Sequence, residues 1–195
     1  SLVGSEDVSE DILSGKRLTR YEGHAAMATE SVPPYRLSEA AVVFLEGAGL
    51  REPIMLPDEH PRLNQSQMVF RPLVLPVIVG TTVDFPNNDN LFHNVFSYSQ
   101  PREFDLGRYP KGNVRSVRFD KPGTVKVYCD IHSYMFATIL VLENPYFAIP
   151  DDEGNFEIRN IPEGTYEFIF WYGRKRLETR RISVKTDQTT VVNVP

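Results

Sequence analysis

Apolar and polar residues alternate in short runs along most of this chain, with a period near two rather than the 3.6 of a helix. Runs Ala41–Glu46, Thr81–Phe85, Asn94–Ser99, Val114–Phe119 and Thr124–Cys129 read as strands. So do Thr138–Leu142, Asn155–Ile158, Tyr166–Tyr172, Arg181–Lys185 and Thr190–Val194. The stretches VGTT, FPNND, YPKGN, DKPGT, DDEGN and PEGT separate most of them and carry turn chemistry. Helical periodicity is confined to a turn or two somewhere in residues 5–31. Short strands punctuated by 15 prolines and 12 glycines predict an all-β sandwich or barrel rather than a parallel α/β sheet.

The 195 residues suffice for one large or two small domains. Residues 1–38 mix charge, Pro33–Pro34 and few apolar positions, and read as an N-terminal arm or linker. A first domain is expected over 39–143, with a boundary near LENPYFAIP, and a second module over 144–195. The second is small for an independent core, so it should lean on the first or recruit a strand from the N-terminal region. Strand 40–46 suits either unit.

Composition narrows the function. Hydrophobic residues make up 41% and charged ones 24%, ordinary for a globular protein. No apolar run approaches the roughly 18 residues of a membrane span, and the acidic, polar opening shows no signal peptide. Net charge is −5. The one cationic cluster, GRKRLETRR at 173–181, reads as a solvated hairpin beside a strand, so no nucleic-acid partner is expected. A nucleophile elbow, a phosphate loop, a zinc-protease helix and kinase signatures are all missing, and no motif places the many carboxylates. An enzyme is therefore not expected.

The single cysteine lies in VYCDIHSYMF, residues 127–136. Alternation in TVKVYC puts Val125, Val127 and Cys129 on the core-facing side of a strand. The chain then leaves through DIHSYM, which can fold His132 and Met135 back toward the sulfur. In PNNDNLFHNVFSYS, His93 enters a second strand facing inward with Val95 and Ser97. Two imidazoles, a thiolate and a thioether form the set that blue-copper electron-transfer sites use. Zinc would prefer another donor over a thioether, and haem attachment or an iron–sulfur cluster needs more cysteines. Taken singly, each residue has an ordinary explanation: a small core hydrophobe for Cys129, a strand-end hydrogen bond for His93, core filling for Met135. His24 and His60 lie in polar surroundings and read as solvated.

HNV at 93–95 followed by YCDIHSYM at 128–135 resembles the cupredoxins, and the short Cys-x-x-His-x-x-Met loop is most similar to the amicyanin arrangement. MVFRPLVLPVIVGTTVDFPNND at 68–89 and VRFDKPGTVKVYC extend the likeness over roughly residues 40–143. The resemblance implies a Greek-key β-sandwich binding one copper ion, cycling between Cu(I) and Cu(II), through His93, Cys129, His132 and Met135. It further implies that Asn94 ties the two ligand loops together and donates its backbone N–H to the sulfur. Tyr128, Tyr134 and Phe136 surround the loop and are candidates for an apolar rim through which electrons leave by way of His132. Partners would be c-type cytochromes or a larger oxidoreductase, and the location periplasmic or otherwise extracytoplasmic. A copper carrier or store would show more than the four methionines present, at 27, 55, 68 and 135. A structural β-protein with a degenerate site would commonly have lost a ligand.

AIPDDEGNFEIRNIPEGTYEFIFWYG, 148–173, more loosely resembles carboxypeptidase regulatory-like (transthyretin-like) β-sandwich modules. The pattern is carried by Asp152, Gly154, Phe156, Pro162, Gly164 and Tyr166.

Overall fold

The computed structural model describes residues 2–4, 35–50 and 55–194. The helical turn expected within 5–31 lies outside them. Beyond one short helix, α1 (Leu37–Ala40), the described residues are almost entirely strands and their turns. The all-β expectation holds.

Four layers stack on one another. The outermost combines β3 (Asn64–Ser66), β4 (Val69–Arg71), β6 (Thr82–Pro86) and β9 (Val114–Arg118). β3 pairs with β4 and β6 with β9, while parallel bridges Arg62–Asp84 and Gln65–Asn87 join the two pairs. Next comes a sheet in the order β5 (Val74–Ile78), β11 (Phe136–Leu142), β10 (Gly123–Tyr128), β7 (His93–Ser99) and β8 (Arg102–Tyr109). Between these layers lies a core of Phe70, Val83, Phe85, Val95, Phe119, Val125, Val127 and Ile139, which also takes in Cys129 and Met135.

The third layer orders β12 (Phe147–Ala148), β2 (Ala41–Glu46), β14 (Gly164–Tyr172) and β15 (Lys175–Val184). The fourth holds β13 (Phe156–Ile158), β1 (Leu2–Gly4) and β16 (Thr190–Val191). A boundary at residue 39 would leave β2 with the first domain. β2 instead pairs with β14 along its whole length and with β12, so the chain enters the third layer before building the first two and returns to it afterwards. The returning segment is fixed on β2, where Asn144 Nδ2 donates to the Leu45 carbonyl at 2.9 Å and Leu45 N–H to the Tyr146 carbonyl at 3.0 Å.

β2 reads AVVFL without a polar break because both its faces are covered. Val43 and Leu45 join Phe168, Phe170, Phe156 and Ile182 in the second sandwich's core. Val42 and Phe44 join Ile169, Trp171, Val74, Leu140 and Leu142 in a cluster between the sandwiches. The second sandwich therefore rests on the outer face of β5 and β11. Within it, Gly164 leaves room for Tyr166: a Cβ there would sit 2.6 Å from the phenol oxygen, which donates to the Pro162 carbonyl at 3.0 Å. That close approach gives the Pro-x-Gly-x-Tyr pattern a physical reason.

Candidate metal centre

Two strand ends and one loop build the site. β7 begins at His93, which is wholly buried. β10 ends at Tyr128, whose partner across the ladder is Phe136, so the seven residues Cys129 to Met135 are pinched between one strand pair. Inside that loop Met135 N–H donates to the His132 carbonyl at 2.9 Å, and Cys129 N–H to the Met135 carbonyl at 3.4 Å. The turn brings His132 back over the sulfur.

His93 Nδ1 lies 3.0 Å from His132 Nδ1, and Cys129 Sγ lies 3.9 Å from the first and 3.8 Å from the second. Donors about 2.0–2.3 Å from a shared ion stand at such mutual distances. The protonation pattern agrees. Asp89 Oδ2 is 2.9 Å from His93 Nε2, and a carboxylate only accepts, so Nε2 carries the proton. The Nδ1 lone pair of His93 then faces His132 Nδ1 and the sulfur, an arrangement that a cation between them satisfies. Met135, 1% exposed, is buried in the same cluster as Cys129.

Electrostatics follow from these contacts. Burial would raise the Cys129 thiol, but the His93 contact and backbone N–H groups of Asn94, His132 and Ile131 outweigh it and hold the thiol below its usual range. Burial likewise disfavours His93's charge, yet Cys129 and Asp89 prevail and raise it. Burial lowers His132, and His93 beside it lowers it further. For Asp89 burial acts upward and is overcome by hydrogen bonds from Met68 N–H, His93 and Gln67 N–H, leaving the carboxyl below the usual carboxylate range.

Residues 60–142 match the family model of the copper binding proteins, plastocyanin/azurin family. That segment is under half of the chain and contains His93, Cys129, His132 and Met135. Among solved structures, a reduced amicyanin variant is 23% identical, with 45% of this chain and 86% of that chain covered at a TM-score of 0.41. A purple cupredoxin from Nitrosopumilus maritimus is 23% identical, with 42% of this chain and 99% of that one covered at 0.38. A copper-containing nitrite reductase from Thermus scotoductus SA-01 is 28% identical, with 51% of this chain but 25% of that one covered at 0.42. No curated protein matches the chain.

Around these three donors the other expected residues divide. The backbone N–H of Asn94 helps hold the Cys129 thiol low, but its side-chain amide donates to Asp105 Oδ1 on β8 at 2.6 Å instead of crossing to the 129–135 loop. Of the three aromatics expected at the rim, Tyr134 stands there, 47% exposed, its ring 6.1 Å from that of His132. Tyr128 packs on Phe96, and Phe136 lies under the Arg174 guanidinium at 3.4 Å, against the inter-sandwich cluster. Both belong to the outer sheet face. The exposed apolar residues at the site's end are Leu91, Phe92, Ile131 and Tyr134.

Sequence reasoning missed Asp89, Asn87 and Gln65. Asn87 is fully buried and donates to the carbonyls of Leu91 at 2.8 Å and Tyr109 at 3.0 Å. Gln65 donates to the Tyr109 hydroxyl at 2.6 Å, which donates to the Phe85 carbonyl at 2.9 Å. This network shapes the loop before His93. Its one sequence signal was the Asn-Asn-Asp of FPNND, read only as turn chemistry.

Proposed function

We propose that this protein carries single electrons between redox partners on one copper ion, which His93, Cys129 and His132 would hold, with the Met135 thioether as a weak further donor. The observation that carries the reading is the convergence of three donor atoms within 4.8 Å of one another, two of them on wholly or nearly buried residues. The ion, when bound, supplies the one-electron couple. The chain supplies a donor set fixed by strands β7 and β10, a core that excludes water, and an apolar edge beside His132.

Leu91, Phe92, Ile131 and Tyr134 support that edge as the place where partners dock transiently, c-type cytochromes or a larger oxidoreductase among them. Cys129 is flanked by Tyr128 and Asp130 and not by histidine. That favours a carrier over an enzyme relaying electrons from this cysteine to an adjoining copper centre. An extracytoplasmic location accords with such a role. Among the described residues no helix is long and apolar enough to cross a membrane. The second sandwich we read as a carboxypeptidase regulatory-like module that braces the first.

Adding Cu(II) to the metal-free protein should produce an intense thiolate-to-copper absorption band, lost in Cys129→Ser. A wild-type protein that binds copper weakly and without the band would sink this reading.

A further inference from the structure

The geometry points to Asp89 as a positioning residue: its carboxylate, gripped by a strained two-residue turn, fixes which nitrogen of His93 faces the ion and how firmly the ring is held. The inference rests on the copper reading above and adds a residue outside the donor set. β3 and β4 are joined by Gln67 and Met68 alone, each at φ +56°. Such a turn favours Asn-Gly, because side chains with a Cβ disfavour this backbone region.

What holds the turn is Asp89. Gln67 N–H donates to Oδ1 at 2.6 Å and Met68 N–H to Oδ2 at 2.9 Å. The same Oδ2 receives His93 Nε2–H. Asp89 is anchored from behind, its own N–H donating to Oδ1 of the fully buried Asn87 at 2.9 Å. Three donors thus converge on one carboxylate that is 14% exposed.

Two consequences follow for the centre. In the neutral ring the carboxylate holds the proton on Nε2, which leaves Nδ1 unprotonated and turned toward the sulfur, so the ring needs little reorganisation on binding. It also makes that nitrogen a stronger donor, favouring Cu(II) over Cu(I). The turn reaches the second imidazole too, since the Tyr134 hydroxyl, beside His132, donates to Met68 Sδ at 3.2 Å.

The test compares wild type, Asp89→Asn, Gln67→Gly and the double variant. Glycine at 67 relieves the turn of its strain, so a loss in the double variant reports on His93 and not on folding. Asp89→Asn should bind Cu(II) about 10–100-fold more weakly in competition with a chelator. Its reduction potential should rise, in both backgrounds. In the metal-free protein, at a pH where the His93 ring is neutral, its ¹⁵N shifts should change from a single Nε2–H form to a mixture. Wild-type affinity, potential and tautomer in Asp89→Asn would overturn the inference, as would full recovery of all three in the double variant. A wild-type protein lacking the thiolate band would sink the copper reading alone, with the tautomer shift still deciding the role of Asp89.

Discussion

Met135 and Cys129 occupy one apolar cluster, yet the chemistry asks different things of them. The thiol must lose its proton, and the N–H groups around it make that favourable in a buried place. The thioether must stay neutral and weakly bound, which a side chain 1% exposed among Val95, Phe119 and Ile139 ensures. Met135→Gln replaces it with a harder oxygen or nitrogen donor, which favours Cu(II). The variant should keep copper and its thiolate band while its reduction potential falls in voltammetry. An unchanged potential would remove Met135 from the centre. Burying an amide where no partner awaits should also lower the metal-free protein's unfolding free energy by about 1–3 kcal/mol.

Elements differ in how plainly the sequence announces them, for reasons visible in their surroundings. β7 and β10 face a core on one side and bury less on the other, so alternation locates them and orients His93 and Cys129 inward. Alternation does not reveal β5, because Pro76 interrupts it, a residue tolerated since, among the described residues, β5 is an edge strand pairing only with β11. β8 escapes because it too is an edge and carries Arg102, Glu103 and Asp105 outward. The β3–β4 hairpin has neither glycine nor asparagine at its turn, and the carboxylate that makes the turn possible lies 22 residues away. Asp89 was therefore invisible: its role is defined by tertiary partners. PEGT, in contrast, states its constraint locally. Gly164→Ala would push a methyl into the Tyr166 ring, which already packs against Gly47 on its other side. Chemical denaturation should show a loss of about 1–3 kcal/mol, with the copper band unaltered. An unchanged midpoint would mean that something other than Tyr166 requires the glycine.

Across the whole molecule, the apolar cluster between the sandwiches is joined by a polar clamp. Just before α1, Tyr35 donates its hydroxyl to the Phe70 carbonyl on β4 at 3.0 Å, while Arg71 stacks over its ring at 5.0 Å. Arg71 also bonds Glu39 of α1 at 2.5 Å. The segment leading into the third layer is thereby tied to the first. Burial pushes the Tyr35 hydroxyl up to about 12, with Arg71 lowering and Glu39 raising it by lesser amounts. Because the folded value lies above the unfolded one of about 10, the folded state holds this proton more tightly. Its contribution is fully present below pH 10 and is lost as pH rises toward 12, a change of about 2–3 kcal/mol. Tyr109, also raised to about 12 by burial, titrates in the same window, so the variant must be read by difference. Tyr35→Phe should be less stable than wild type at pH 8 by about 1 kcal/mol, the net worth of one hydrogen bond. The gap should close and then reverse between pH 10 and 12, since phenylalanine has no proton to lose. Urea unfolding of both proteins across that range measures the crossing directly. Parallel curves would show that the phenol is not held in the folded state as its contacts require.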